Sequence, residues 1–288
     1  MNLATAAITV LTTPVPAEKV RLTRAFAADW REGRLDGVGS AAPLDRPARP
    51  DHPELRPPRE MPARRKGGSP AGRIALLHAL AHIELNAIDL AWDIIARFAA
   101  SEDLPREFCD DWVGVADDEA RHFDLLERRL ADFDSHYGAL PAHDGLWQAA
   151  RDTAHDLAAR LAVVPMALEA RGLDVTPATV EALRRHGDDA SADILQTIHD
   201  EEIGHVGAGC RWFDHICAKR GVDPVTTWQA LIRQYFRGGL KPPFNDVSRA
   251  KAGMGADFYA PLVPEIHSET TPEIAPEIRD SAGSPDRS

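Results

Sequence analysis

The stretch DDEARHFDLL, residues 117–126, places charged and apolar side chains on one face of a helix. Glu119 and His122 are three residues apart, so in a helix they share a face with each other and with Phe123 and Leu126. An apolar helix face packs against a core, where a charge is costly unless it is paired or bound to a metal. The stretch therefore predicts either a solvated face or a cation that lies against it.

A second Glu-x-x-His follows in HDEEIGHVGAG, residues 199–209, where the pair is Glu202 and His205. One such pair arises by chance on many charged helices. Two of them on two apolar helices are typical of four-helix bundles that hold two metals, and those bundles need one further glutamate on each of the other two helices. The chain supplies Glu84 in HALAHIELNAIDLAWDII and Glu169 in LAVVPMALEARG.

Each of these four glutamates lies on an apolar stripe. Steps of three and four residues from Glu84 reach Leu77, Leu80, Ala81, Ile88, Ala91 and Ile95. Four carboxylates cannot share an apolar core unless they are protonated or neutralised. Two divalent metal ions would neutralise four glutamates, and two neutral imidazoles would complete the ligand set. The pattern predicts a two-metal site whose ligands are Glu84, Glu119, His122, Glu169, Glu202 and His205.

Charged residues next to these ligands are candidates for supporting roles. Asp118 and Glu201 immediately precede the two Glu-x-x-His glutamates. Each could accept the second N–H of a ligand histidine from the neighbouring helix, and a plain surface charge is the alternative. Arg121 and Arg171 flank the ligands, and they could balance charge or anchor an anionic substrate.

Other kinds of catalytic site find little support. At 100° per residue, His78 and His82 lie on other sides of their helix than Glu84, so we expect them to hydrogen-bond at a helix contact or to face solvent. The chain has no Gly-x-Ser-x-Gly and no Gly-rich phosphate loop. Its tyrosines are Tyr137, Tyr235 and Tyr259. None lies on a metal-bearing stripe, which argues against a stable tyrosyl radical.

The composition is that of an ordinary soluble protein, with 288 residues, 44% of them hydrophobic and 27% charged. A net charge of −12 argues against binding to nucleic acid or to anionic membranes. No apolar run approaches the roughly 20 residues needed to span a bilayer, and no basic residue precedes Lys19 as a signal peptide would require. Three cysteines without a Cys-x-x-Cys fit a reducing compartment. We expect a cytoplasmic protein that does not bind a membrane and that could form a homodimer.

The apolar periodicity predicts four long helices, at about 72–100, 106–135, 144–171 and 188–220. Gly138 is expected to cap the second of them and Gly172 to end the third. A short helix over 176–187 would begin at Thr176 and Pro177, and a further helix is expected over about 224–236.

Four regions follow from these helices. Residues 1–71 would form one or two short helices and then, over 41–70, an arm rich in proline and arginine that packs on the helices or links them. Residues 72–237 would form the four-helix bundle, 238–260 an irregular segment, and 261–288 a disordered tail.

Five runs carry a resemblance to a known family: ALLHALAHIELNAIDLAWD, DWVGVADDEARHFDLLERRL, LAVVPMALEARGLDVTP, IHDEEIGHVGAGCRWF and PPFNDVSRAKAG. Over roughly residues 8–255 the chain resembles a bacterial family of unknown function in the ferritin-like superfamily. The resemblance implies an all-α, ferritin-like four-helix bundle with an N-terminal arm and an extra C-terminal helix. It also implies a carboxylate-bridged centre, di-iron or iron/manganese. Glu119 and Glu202 would bridge the metals, Glu84 and Glu169 would be terminal ligands, and His122 and His205 would give one nitrogen each.

The superfamily contains oxygenases, desaturases, a tRNA-modifying hydroxylase, manganese catalases, ribonucleotide reductase small subunits and iron-storage proteins, and fold alone cannot choose among them. We expect an O₂-activating oxidase or oxygenase that uses a small substrate and an electron donor, because the arm would cover a substrate pocket. Because the arm has several basic residues, a tRNA substrate is kept as a further alternative. One alternative is an iron-binding, ferroxidase or oxidant-scavenging protein without an organic substrate. Another is a non-catalytic bundle that keeps the site for stability.

Overall fold

The fold is all-helical, as predicted, in the computed structural model, which describes residues 1–57, 60–61 and 68–263. Within these ranges no β-strand is present, and β-type pairing is confined to an isolated parallel bridge between Leu55 and Ala142. The three cysteines are free and buried.

The elements in chain order are α1 (Leu3–Leu11), α2 (Pro16–Arg31), α3 (Pro70–Phe98), α4 (Arg106–Ala131), α5 (Gly145–Asp152), α6 (Leu157–Val163), a π-helical turn (Val164–Glu169), α7 (Ala170–Arg185), α8 (Asp189–Arg220), α9 (Pro224–Tyr235), α10 (Asp246–Lys251), α11 (Ala256–Tyr259) and a 3₁₀ turn (Ala260–Leu262).

The long helices begin and end at residues suited to those positions. The side chain of Ser69 accepts a hydrogen bond from the Gly72 N–H, and Pro70 fills the first turn of α3. The side chain of Asp188 caps α8 by accepting from the Ser191 N–H. Gly221 ends α8 with a left-handed φ of +66°, a conformation that favours glycine.

Two pairs of helices form the interior. Helix α3 packs along α4, and α7 packs along α8, while contacts between α4 and α8 join the two pairs. The short connections between the members of each pair make them antiparallel. Helix α1 packs on α3 and α2 on α4, and α6 with the π-helical turn lies against α8. Because α3 has neighbours on several sides, all of its residues from 84 to 96 are buried.

Helix α3 is long and apolar enough to cross a membrane by length and composition alone, contrary to the sequence-based expectation. However, 67% of its apolar window is buried inside the protein. A mostly buried helix of this kind is typical of the core of a soluble protein.

Buried ion pairs attach the surrounding segments to α3. The ammonium of Lys19 in α2 pairs with Asp89, and the guanidinium of Arg49 in the N-terminal arm lies 2.8 Å from the same carboxylate. On α6, Arg160 lies 2.5 Å from Asp93. Removing one partner of a buried pair typically costs about 3–5 kcal/mol, since the other charge is left without compensation. These pairs therefore fix how the arm and α6 lie against α3.

The prediction of one continuous third helix over 144–171 is wrong. The chain breaks after α5, begins α6 at the cap residue Asp156, and widens into the π-helical turn that contains Pro165. Proline cannot donate a backbone hydrogen bond, so it disfavours a regular α-helix at this point. The chain becomes α-helical again only after Glu169.

The predicted helix boundary at Gly172, Thr176 and Pro177 is also wrong, because α7 runs through all three residues. Pro177 cannot donate to the carbonyl of Leu173, four residues earlier. That carbonyl instead accepts a hydrogen bond from the side-chain amide of Asn245, at 3.1 Å. A contact from a distant segment thus compensates for the proline.

Three further expectations differ from the structure. Helix α4 ends at Ala131, so Gly138 does not cap it and instead lies in the following turn with φ +102°. Residues 238–260 contain α10 and α11, and the 3₁₀ turn enters the expected tail. The remainder of the tail, 264–288, lies outside the described residues, as do the arm residues Arg59, Arg64, Arg65 and Lys66.

Candidate metal centre

Glu119 of α4 lies at the centre of the predicted ligands. Its Oε1 is 3.1 Å from Nδ1 of His205 on α8, and its Oε2 is 3.4 Å from Nδ1 of His122. The carboxylate of Glu84 on α3 is 3.5 Å from the same His122 nitrogen. Glu202 on α8 is 3.4 Å from Nδ1 of His205. One oxygen of Glu119 therefore faces each imidazole.

A cluster of glutamate and histidine side chains here could hold a metal ion. Atoms of Glu84, Glu119, His122 and Glu202 lie within 4.8 Å of one another. Nitrogen and oxygen ligands bind most transition metals at about 2.0–2.2 Å, so two ligands at right angles on one ion lie roughly 3 Å apart. The separations between the carboxylate oxygens and the ring nitrogens are close to that value.

Four buried atoms of the cluster have no hydrogen-bond partner among the described residues: Oε1 of Glu119, Oε2 of Glu169, Oε2 of Glu202 and Nδ1 of His205. Folded proteins leave very few buried polar atoms unpaired. These four are lone-pair donors, the chemistry that a transition metal requires. The residues present therefore fit a metal centre.

The π-helical turn brings Glu169 to this cluster. It ends at Glu169, and single π-helical turns often occur at functional sites because they shift the side chains that follow. Burial, and then the neighbouring charge of Glu202, raises the pKa of Glu169 well above its usual value. The structure thus brings all six predicted ligand residues to one region.

The ionisation of the metal-free cluster is shared among its members. Burial raises the pKa of Glu84 well above its usual value, and the charge of Glu119 adds to the effect. Burial and Glu119 likewise raise the pKa of Glu202. Burial opposes the charged form of Glu119, yet its hydrogen bonds to Glu84 and His122 hold its pKa well below normal. Burial disfavours the imidazolium of His122, but the nearby carboxylates raise its pKa to about 11. Without metals, the raised pKa values therefore favour the protonated forms of Glu84, Glu202 and His122.

Asp118 and Glu201 lie beside the two histidines. The Nε2–H of His122 donates to Glu201 at 2.6 Å, and Nε2 of His205 lies 3.4 Å from Asp118. Each pair joins α4 to α8. Arg121 links the two carboxylates, donating to Asp118 at 3.0 Å and to Glu201 at 2.5 Å. A carboxylate at Nε2 holds the proton on that nitrogen, so Nδ1 is directed at the glutamates.

The family of the chain follows from its sequence. The profile of the family described as Protein of unknown function (DUF455) matches residues 12–260. The chain belongs to this family. It is also 38% identical over 254 residues to an "Uncharacterized protein" of Haemophilus influenzae, a match that covers 85% of this chain and 88% of that one. Among solved structures, no match was found.

The cavity beside Glu169 was not predicted from residue periodicity. It has a volume of about 330 Å³, and its walls come from α3, the loop before α5, the π-helical turn and α7, and the segment after α9. Its C-terminal wall includes Leu240 and Phe244. No local pattern marks such residues, because only tertiary packing brings them to Glu169. The sequence feature that comes closest to indicating the cavity is the pair of small α3 side chains that line it, Ala79 and Ala87.

His78 and His82 are buried and hydrogen-bond to the loop between α4 and α5, rather than to another helix or to solvent. His82 bonds through Nδ1 to the hydroxyl of Tyr137 at 2.8 Å and lies 3.0 Å from the His143 carbonyl. His78 accepts from the backbone N–H of Gly138 at 2.9 Å. Burial lowers the pKa of both histidines to about 4, so both are neutral at pH 7.

Proposed function

We propose that this chain is a ferritin-like di-metal carboxylate protein and an O₂-activating oxidoreductase, of the oxidase or oxygenase type. The position of Glu119 supports this proposal most strongly, because its two carboxylate oxygens face two histidines on different helices. A glutamate placed in this way is suited to bridge two metals. Fe(II) is the metal that best combines carboxylate and imidazole ligands with O₂ chemistry, and an iron/manganese pair is the alternative.

The proposed ligand set has one histidine for each metal. His122 with Glu84 would hold one ion, and His205 with Glu169 would hold the other, while Glu119 and Glu202 would bridge them. Two divalent ions would balance four glutamates, so the centre would be electrically neutral in an interior that disfavours net charge. A bound iron pair would supply electrons for the reduction of O₂.

The residues of the chain would prepare the site in three ways. Glu201 and Asp118 would hold the histidine protons on Nε2, so that each Nδ1 is free to bind metal. Arg121 would keep those two carboxylates in place. The cavity next to Glu169 would hold an organic molecule away from bulk water. That cavity favours an enzyme with a small substrate over a protein that only stores iron, and an external electron donor would restore the reduced state.

The proposal is tested by loading metal-free protein with Fe(II) under anaerobic conditions and then adding O₂. We expect two metal ions per chain, and O₂ uptake that stops when the centres are oxidised and resumes when a reductant is added. Added Fe(II) should not build up a mineral. Continued oxidation of excess Fe(II) into a soluble iron core would instead indicate storage, and saturation at one ion or none would contradict the two-metal site.

A further inference from the structure

The cavity beside Glu169 has a mostly apolar wall. Leu90, Leu146, Leu168 and Phe244 line it, together with several alanines. Its volume of about 330 Å³ lies within the usual range for small-molecule sites, about 300–1,000 Å³. A wall of this kind gains free energy by covering aliphatic or aromatic carbon. The cavity therefore suits a molecule that is mostly hydrocarbon.

Two charged groups of the lining neutralise each other. Arg249 and Asp174 are buried and form a bidentate pair, with distances of 2.8 Å from Nε and 2.7 Å from Nη2. The same carboxylate accepts from the backbone N–H of Asn245 at 2.9 Å. This pair fastens the C-terminal segment to α7 and leaves no net charge for a ligand.

Arg171 keeps donors that could bind a ligand. Its Nη1 donates to the carbonyls of Lys241, at 2.7 Å, and Pro243, at 3.0 Å. The same nitrogen lies 3.5 Å from the carboxylate of Asp174, which is already paired with Arg249. The two hydrogen bonds hold the guanidinium at the cavity while Nε and Nη2 make no hydrogen bond within the described ranges. The side chain is 41% exposed, so it lies toward the solvent side. The side chain of Lys241 is exposed as well, and it makes no ion pair with a described residue.

The polar groups thus give the cavity a direction. At its inner end lies the buried, unpaired Oε2 of Glu169, and at its outer end lie the cations of Arg171 and Lys241. A guanidinium whose Nε and Nη2 are free offers the fork that recognises a carboxylate. We infer that the cavity binds a small, mostly apolar carboxylic acid, with its carboxylate at Arg171 and Lys241 and its apolar end beside Glu169. Assigning this acid as the substrate rests on the proposed function.

The first test compares three probes that share one chain and differ in charge: decanoate, decanol and decylammonium. Binding is measured by calorimetry on protein loaded with Mn(II) in the absence of O₂. Decanoate should bind at least about tenfold more tightly than decylammonium. Arg171→Gln should weaken decanoate about tenfold, the effect of losing one charge-assisted hydrogen bond, and leave decanol unchanged. Lys241→Gln should act in the same direction.

Two variants serve as controls for the location of binding. Arg237→Gln removes an exposed arginine near the same segment that does not line the cavity, and it should leave all three probes unaffected. Ala79→Trp, at an exposed position of the lining, should narrow the cavity and weaken all three. Equal binding of the three probes, or decanoate binding that Ala79→Trp does not change, would overturn the inference.

The second test measures orientation. Bound Mn(II) accelerates the relaxation of nearby protons, so the terminal methyl protons of decanoate should relax faster than the protons next to its carboxylate, relative to a Zn(II)-loaded control. The opposite order would overturn the inference while leaving the metal centre intact. If the protein takes up neither Mn(II) nor Fe(II), the proposed function fails, and the probe selectivity and Arg171→Gln, measured on metal-free protein, still decide what the cavity binds.

Discussion

Oε1 of Glu119 and Nδ1 of His205 lie 3.1 Å apart in the interior, and neither atom has any other hydrogen-bond partner among the described residues. If the proton of a neutral His205 is on Nε2, beside Asp118, then lone pairs of Nδ1 and of the carboxylate face each other. Such an arrangement is repulsive unless a cation lies between the two atoms. In the metal-free protein a proton supplies that cation, because nearby carboxylates raise the pKa of His205 well above its usual value despite its burial. We propose that metal ions replace it.

The central position of Glu119 predicts unequal effects of two isosteric variants. Glu119→Gln should abolish binding of both metals, because the carboxylate faces both histidines. Glu84→Gln should retain partial occupancy, since Glu84 lies beside only one of the two histidines, His122. Glu107→Gln, at an exposed position of α4, is the control and should bind two metal ions per chain. Elemental analysis of each loaded variant measures the outcome, and equal loss in the two site variants would contradict the bridging role.

The raised pKa values predict how the stability of the metal-free protein depends on pH. The pKa values of Glu84, Glu169 and Glu202 are raised by burial and by neighbouring carboxylates, and that of His122 is raised from 6.5 to about 11. A group whose folded-state pKa is raised stabilises the protein fully below its unfolded pKa, and that stability is lost as the pH rises through the folded pKa. The pKa of Glu119 is lowered, so its contribution to stability is lost only in acid, below its usual pKa of 4.5.

Metal-free protein should therefore be less stable at pH 9 than at pH 6, by at least about 1 kcal/mol, since one pKa unit corresponds to about 1.4 kcal/mol. Urea unfolding of chelator-treated protein at the two pH values measures this difference. Metal binding displaces these protons, so metal affinity should change in the opposite direction and increase with pH. A metal-free protein that becomes more stable between pH 6 and pH 9 would contradict the buried cluster.

The contact between His122 and Glu201 predicts an effect on metal affinity without loss of a ligand. Glu201→Gln replaces the carboxylate that accepts from Nε2 of His122 at 2.6 Å. A neutral acceptor makes the imidazole a weaker base, and such changes typically reduce metal affinity about 10–100-fold. Asp200→Asn alters the neighbouring, exposed carboxylate and should have no effect. Competition with a chelator measures the metal affinity of both variants. If Glu201→Gln bound metal as tightly as Asp200→Asn, Glu201 would be only a surface charge.

Local periodicity was sufficient for the helices that carry most of the proposed ligands. Glu84, Glu119 and Glu202 each lie on an apolar stripe of a long helix, and those helices begin and end near their predicted bounds. The segment around Glu169 differs because Pro165 widens the helix before it, while Pro177 is tolerated after it. Both outcomes depend on contacts with distant segments, which local sequence patterns do not contain.

The same limit applies to the cavity. Its outer wall is set by Arg249, which pairs with Asp174 across 75 positions of the chain, and by Arg171, which reaches the carbonyl of Lys241. Arg171 is expected from the sequence to flank the predicted metal ligand Glu169, where it could anchor an anionic substrate. The sequence could not show that the C-terminal segment covers the space beside Glu169, because that arrangement depends on a buried ion pair between residues far apart.

Helix α8 approaches the π-helical turn very closely at Gly209. A Cβ atom added there would lie 2.6 Å from Cβ and 2.7 Å from Cγ of Pro165. The proline ring is rigid and cannot move away by rotating, so the helix and the turn would have to separate. Glu169 ends the same turn, and its carboxylate would move with it.

Gly209→Ala should therefore destabilise the protein by about 1–3 kcal/mol, the usual cost of overpacking, and should weaken the metal position that Glu169 serves. Gly204→Ala is the matched control on the same helix, because its added Cβ would meet nothing within 4 Å. It should instead stabilise the helix by about 1 kcal/mol, the difference in helix propensity between the two residues. Urea unfolding and metal stoichiometry of both variants measure these effects. If Gly209→Ala were as stable as Gly204→Ala and bound two metals, the close approach of α8 to Pro165 would have no part in placing Glu169.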